Sequence, residues 1–423
     1  MKFYQVLLVL LLVSYTTYSQ NLQFKAGAAL RIITPDPLLP VSGGVGTPKP
    51  VTKKQGDLFV RALVMEKGTE RVAIVGIDNL GWPAVLGDKS RALIKGIKPE
   101  NVLIGVTHTH SAPDAYGFPD ENGNIGADMK YLEWCVKQIA DAVNEATDKL
   151  EPADVKIAVD EAKGKIAYNY YAPQLYDPRC GVIQAISKNG ITIATLVNYA
   201  THPEIIGNSR GILSPDMCGP LYNRIEEKAG GIALFMNSAQ GGMVTADNRK
   251  EEGGEASDWA ECVRNGNLLA DEALRIVSTA KVQKNPDLFC TSKVIEFPVD
   301  SELMRAILKN SPISKGTTEN TVTTRINLVN IGSCQAVTIP GEALPNIGFY
   351  LKRKMSTQHP FLFGLTNDAF GYIITKEDFN SFKRYDYISR TSLGERTADI
   401  YITEVLDLVE SSPTPKRYPE TIE

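Results

Sequence analysis

Histidine is scarce in this chain, with four in 423 residues, and the six cysteines include no CxxC or other close pair. A zinc ribbon and a thioredoxin-like redox motif are therefore excluded. Cys135 and Cys262 sit on the apolar faces of expected helices and read as core packing; one or two disulfides stay open for the six. No block of basic residues stands out, and the net charge is −4. That balance argues against a nucleic-acid or anionic-membrane partner. Long apolar runs are missing as well. The longest, at 6–13, has eight residues, and a bilayer needs about 20, so no transmembrane segment is expected. That run follows Lys2 and leads into small polar residues ending at Ser19-Gln20. The pattern is that of a cleaved signal peptide over 1–19, which places the mature protein outside the cytoplasm, secreted or periplasmic. No motif encodes the oligomeric state.

What remains reads as one large α/β (mixed α+β) domain over 20–410. Apolar, strand-like runs lie at 59–65, 72–77, 102–106, 155–159, 191–197 and 232–236. Helical periodicity spans 129–146, with Leu132, Cys135, Val136, Ile139 and Val143 on one face. Further helices are expected at about 220–228, stopped by Gly230-Gly231, and at 258–277 with Ser257 as its cap. From 281 onward the texture becomes alternating and β-branched, with a hairpin turn at 330–333 and a last helix at about 342–355, so 281–410 reads as a subdomain on the same core. The tail, 411–423, carries three prolines and is expected to trail over the surface.

Three of the four histidines fall just after expected strands. Thr107-His108-Thr109-His110-Ser111 follows 102–106, and the Asn198-to-Glu204 segment, holding His202, follows 191–197. Asn237-Ser238-Ala239-Gln240-Gly241-Gly242 follows 232–236, and Pro340-Gly341-Glu342 follows the strand ending at 339. Ligands of open α/β sheets bind beyond the carboxyl ends of strands, so these four ends can converge on one ion. Imidazole and carboxylate suit one Zn2+. In an extended His-x-His both rings point the same way, so one can bind metal while the other acts as acid or base. His359 reads as a loop residue.

These residues carry a resemblance. The text is similar to the catalytic domain of the neutral/alkaline, non-lysosomal ceramidases and their bacterial relatives. It runs from Gly27-Ala28-Ala29 and Ile33-Thr34-Pro35 through the 57–62 and 75–78 segments to Thr107-His108-Thr109-His110-Ser111-Ala112-Pro113. It continues with Asn198 to Pro203, Ser214-Pro215-Asp216 with Gly219, Pro340-Gly341-Glu342 and Gly371-Tyr372-Ile373-Ile374-Thr375. The resemblance implies a large domain of mixed sheets with flanking helices. It implies His108, His202, Glu342 and Tyr372 as zinc ligands, His110 as the acid/base or hydrogen-bond partner of substrate, and Tyr385 as a second site tyrosine. Where the family carries a serine tied to amide cleavage this chain has Ala239, the following aspartate becomes Met243, and an expected arginine near Asn169 is absent. The family's extra C-terminal Ig-like sandwich has no room before residue 423.

A kept metal cage with altered cleavage equipment points to a zinc enzyme on a small polar or oligosaccharide substrate. The expected reaction is a lyase or dehydratase step that eliminates water or a glycosidic oxygen beside a uronate, with Tyr372 and Tyr385 joining His110 in catalysis. Asn169, Tyr170, Asn237 and Gln240 are the expected substrate-binding residues. Two alternatives stand beside this: a zinc amidohydrolase cleaving N-acyl, ceramide-like bonds, and a secreted binding protein with a structural zinc.

Overall fold

The computed structural model describes residues 22–117, 125–313 and 320–418; the signal-peptide reading and the last five residues of the tail lie outside them. Eight strands form most of a nine-stranded sheet: β1 (Lys25–Ile32), β2 (Phe59–Lys67), β3 (Glu70–Ile77), β4 (Val102–Val106), β5 (Glu151–Glu161), β6 (Arg179–Ser187), β7 (Thr192–Tyr199) and β8 (Ile232–Asn237). Their order across the sheet is β8-β7-β6-β5-β1-β2-β3-β4, and the short β9 (Val282–Gln283) pairs β5 off this path. β3–β4 and β7–β8 pair in parallel, while the meander between them is antiparallel.

The sheet is covered on both faces, which is why its strands read as continuous apolar runs. Successive residues of β2 serve different cores. Val60, Ala62 and Val64 join the α2 (Met129–Asp148) side with Leu132 and Ile139, while Leu63 and Met65 face the other way. Alternation in a strand dictates that split. At the other end of the same helical layer, α3 (Cys218–Ala229) and α4 (Trp259–Ser278) cover Val182, Val197 and Phe235.

The opposite face packs against a second, four-stranded sheet: β10 (Leu288–Pro298), β11 (Thr321–Ile331), β12 (Cys334–Thr338) and β14 (His359–Phe363). Val329, Ile331, Ala336, Phe361 and Phe363 share one core with Leu63, Ile183 and Leu196 of the large sheet. Between β12 and β14 lie the two-residue β13 (Glu342–Ala343) and the helix α6 (Pro345–Lys354). On the outer face of the second sheet, α6 and a late helix (Thr397–Glu410), which contributes Tyr401, enclose Leu328, Val337 and Leu362. The layers therefore run helices, sheet, sheet, helices.

Local chemistry sets the element ends. Asp128 caps α2 by accepting from the Lys130 and Tyr131 amides, and Gly230 ends α3 at φ +71°. The cap of α4 is Asp258 rather than Ser257; its carboxylate accepts the Glu261 amide and is favoured over a hydroxyl by the helix dipole. The last expected helix begins at Pro345 because Glu342 is drawn into strand pairing with Tyr372. His359 opens β14 and bonds through Nδ1 to the Ser333 hydroxyl, away from the other histidines. All six cysteines are free. Among the described residues no helix is long and apolar enough to cross a membrane.

Candidate metal centre

His108 and His110 lie just beyond the end of β4, and His202 just beyond β7. Glu342 opens β13, which pairs in parallel with β15 (Tyr372–Ile373). That pairing depends on glycine: a Cβ on Gly341 would lie 2.4 Å from the Gly371 carbonyl oxygen. The rings of His108 and His110 are 5.0 Å apart and those of His108 and His202 4.8 Å apart, each pair edge-to-face.

The His-x-His segment is not extended. His108 has φ +70°, a left-handed conformation uncommon for a non-glycine residue. The loop turns there because its amides are tied elsewhere: the His108 amide donates to Asn79 and the His110 amide to Pro203, at 2.9 and 3.1 Å. The rings converge by the turn rather than by strand alternation.

Asn237 braces the floor of this arrangement. Its Nδ2 donates to the carbonyls of Thr107 and Thr201, at 3.1 and 2.7 Å, and its Oδ1 accepts the amides of Thr201 and Ser238, at 3.2 and 3.0 Å. One buried side chain thus joins the loops bearing His108 and His202. Asn198 ties the end of β8 to the second sheet, donating to the Met236, Asn237 and Leu362 carbonyls.

The tautomers follow from the hydrogen bonds. Nδ1 of His108 bonds to the Leu80 carbonyl, and Nδ1 of His202 to the Val244 carbonyl at 2.6 Å. Carbonyl oxygens only accept, so Nδ1 carries a proton on each ring and Nε2 is the nitrogen left to hold a second proton or a metal ion. Those Nε2 atoms face Glu342: His202 at 3.0 Å from Oε2 and His108 at 3.6 Å from Oε1. Two lone-pair nitrogens facing a carboxylate in a buried site repel unless a cation lies among them. Metal bonds of about 2.0–2.2 Å place neighbouring ligands slightly over 3 Å apart, so the donor set fits a divalent metal. The same demand surfaces as proton affinity. Burial disfavours charge on His202, but Glu342 hydrogen-bonded to it outweighs burial and pushes it up to about 9. Burial pushes His108 down to about 3. Burial alone would raise Glu342, yet the two imidazoles hold its carboxyl below the ordinary range.

His110 is wired differently. Its Nδ1 lies 3.2 Å from Oε2 of Glu204, and burial together with His202 pushes its pKa down to about 3. Its Nε2 is buried with no hydrogen-bond partner. Ring nitrogens of His108, His110 and His202 all come within 4.8 Å of one another, so the three histidines alone are also a possible cation site.

These groups line a cavity of about 410 Å3, within the size range of small-molecule sites, about 300–1,000 Å3. Leu80, Val85, Met304, Ile307, Leu308, Val322, Phe370 and Leu393 line it, together with Tyr116, Tyr372 and Tyr387 and the polar Asp88, Thr323, Asp368 and Thr391. Burial first, then Glu342 and Tyr387, hold the Tyr372 phenol well above its ordinary range, so it stays protonated until a cation offsets those charges. Its hydroxyl lies 3.8 Å from the Met243 sulfur.

The remaining expected site residues lie off the cavity. Tyr385 packs on Tyr171 and Phe382, with centroids 5.7 and 4.7 Å away. Tyr170 is exposed. The side chain of Asn169 is used within its own turn, donating to Leu175 and accepting from Tyr171 and Ala172. Gln240 is fully buried and outside the cavity wall, and Ala239 sits in the second-sheet core beside Leu344 and Ile347. Sequence reasoning missed Glu204, although it stands two residues after His202, and it missed Tyr116 and Tyr387.

No known protein family and no curated protein matches the chain in sequence. Solved structures do match. Neutral ceramidase from Pseudomonas aeruginosa superposes with a TM-score of 0.76 at 17% identity, over 94% of this chain and 76% of that one. A ceramidase solved in complex with C2 gives 0.74 at 17%, over 95% and 77%. The fold is that of neutral ceramidase. The ceramidase-like fold is shared across nearly the whole of this chain, and the expected α/β class with mixed sheets and flanking helices holds.

Proposed function

We propose that the protein is a secreted zinc-dependent hydrolase that cleaves N-acyl amide bonds. The observation that carries this reading is the presence of the His108–His202–Glu342 donor set in the wall of a mainly apolar cavity. A ceramidase-like fold and a signal-like N-terminus support it. The leading sequence expectation, elimination on a uronate oligosaccharide, needs polar partners for sugar hydroxyls along that cavity. The cavity lining is mainly apolar, with Asp88, Thr323, Asp368 and Thr391 among it, and the ceramidase-like fold supports the amidohydrolase alternative as the better reading.

Bound zinc would supply Lewis acidity toward an acyl oxygen and a water molecule. His108 and His202 would hold it through Nε2 and Glu342 through its carboxylate, with the Tyr372 phenol as a further donor. The carbonyl partners of the two Nδ1 atoms fix ring orientation, as partners behind metal ligands commonly do. His110 serves as the proton carrier. Glu204 holds its Nδ1–H, leaving Nε2 free to take a proton from the attacking water and return it to the amide nitrogen. The water oxygen bonds to the acyl carbon, the C–N bond breaks, and the acid and amine together contain one added water. The apolar wall holds the acyl chain, each methylene contributing about 0.8 kcal/mol. Ala239 does not weaken this scheme, because the attacking group is water and no serine is required.

The test is fatty-acid release from an N-acyl amide by the zinc-loaded protein, beside a chelator-stripped control and His202→Ala. Release that needs zinc and His202, with the variant still folded, supports the reading. Equal release in all three would refute it.

A further inference from the structure

A second cavity, of about 480 Å3, shares His110 with the first. Gly43, His110 and Glu204 line both cavities, so the His110–Glu204 pair stands on the boundary between them. Gly43 leaves no room for a side chain at this boundary; a Cβ there would lie 2.9 Å from Cγ of Asn208. The two walls differ in kind. The second cavity is also lined by Asn208, Ser209, Arg210, Asn248, Glu255 and Ser257. Arg210 donates to the Ser257 hydroxyl, the Tyr168 hydroxyl donates to Glu255 at 3.2 Å, and Asn248 donates to the Ala256 carbonyl at 2.7 Å. The wall is rich in donors and acceptors, and its one guanidinium shares it with the carboxylates of Glu204 and Glu255.

A bond cleaved at His110 has one side in an apolar chamber and the other in a polar one. A substrate with an apolar chain on each side of the amide leaves one chain against amides, hydroxyls and charges, which gains no burial and costs polar solvation. A head with many hydroxyls matches the second wall, where side chains of mixed donor and acceptor character meet both lone pairs and protons of each hydroxyl. Resting on the N-acyl hydrolase reading, we propose that the second cavity is a head-group subsite. The substrate then carries one acyl chain on a neutral polyhydroxylated amine, an amino sugar or amino polyol, rather than the two apolar chains of ceramide.

Two probes with the same acyl group test this: N-dodecanoyl-glucosamine and N-dodecanoyl-sphingosine. With the zinc-loaded protein, kcat/KM for the sugar-headed probe should exceed that for the two-chain probe by at least tenfold. Arg210→Ala, at an exposed position, should lower that ratio about tenfold through KM on the sugar-headed probe. Calorimetry of N-dodecanoyl-glucosamine binding to the metal-free protein should show about tenfold weaker binding in the same variant. A preference for the two-chain probe, or a ratio unmoved by Arg210→Ala, overturns the subsite and leaves the hydrolase standing. Hydrolysis of neither probe overturns the hydrolase reading, and the binding experiment then decides the subsite alone: weaker binding in the variant supports it, and unchanged binding overturns it.

Discussion

Replacing Asn237 with alanine removes four buried hydrogen bonds at once, those to the Thr107 and Thr201 carbonyls and from the Thr201 and Ser238 amides. Each contributes about 1 kcal/mol net, and the backbone groups left behind have no water to replace it. The expected loss is about 4 kcal/mol, a large part of the 5–15 kcal/mol typical of a folded protein, yet small enough for the variant to fold. The loss has a second consequence. Asn237 touches no metal donor but fixes the loops that carry His108 and His202, so zinc affinity should fall about 10–100-fold, as when partners behind metal ligands are removed. Urea unfolding of the metal-free protein measures the first number, and zinc competition against a chromophoric chelator the second. If Asn237 instead binds substrate, the variant keeps its stability and its zinc affinity and raises only KM. That outcome would refute the bracing role.

Three further substitutions probe the site and its surroundings. His110→Ala should retain one zinc by elemental analysis and lose 100-fold or more in kcat, the usual scale of a lost proton carrier; loss of zinc instead would make His110 a ligand, as the three-histidine cluster allows. Leu308→Trp should shorten the acyl chains the cavity accepts. In the wild type, kcat/KM should climb about fourfold per methylene, the equivalent of about 0.8 kcal/mol, and in the variant the climb should stop at a shorter chain. Asp177→Asn probes a buried ion pair remote from the donors. Burial raises the Asp177 carboxyl, but Lys352, 2.9 Å away, and Arg179 outweigh it and hold it below the ordinary carboxylate range. A depressed folded pKa gives stability that is present above the unfolded value of about 3.9 and is lost as pH falls through the folded value. Urea unfolding between pH 2 and 7 should therefore show a shallower acid loss in the variant. At pH 7 the variant should be about 3–5 kcal/mol less stable, because Lys352 is left buried and unpaired.

The part of the site read from sequence was the part encoded locally. An apolar strand followed at once by polar residues marks a strand end, and His108, His110, His202 and Glu342 each sit on one. The helix over 129–146 was legible because nine of its residues face a single core. Strand order was not legible, since the pairings of β1 with β5 and of β7 with β8 bridge long intervening segments. The cavity walls come from α5 (Glu302–Asn310), β11 and the 80–88 and 368–372 segments, which no motif links. Asn237 shows the limit of reading by residue type. A polar residue after a buried strand reads as a substrate contact, whereas the structure surrounds the Asn237 side chain with four backbone partners. Tyr387, two residues from the expected Tyr385, reaches the cavity because Tyr385 is turned onto Tyr171 in the preceding 3₁₀ turn.

The most direct test of the hydrolase assignment is the mass of the product. The zinc-loaded protein is incubated in parallel with an N-acyl amide and with a uronate-containing oligosaccharide, each beside a metal-stripped control. The account predicts a fatty acid and an amine that together exceed the N-acyl substrate by one water, only with zinc, and an unchanged oligosaccharide. An intact amide beside a zinc-dependent unsaturated or dehydrated sugar product would contradict it.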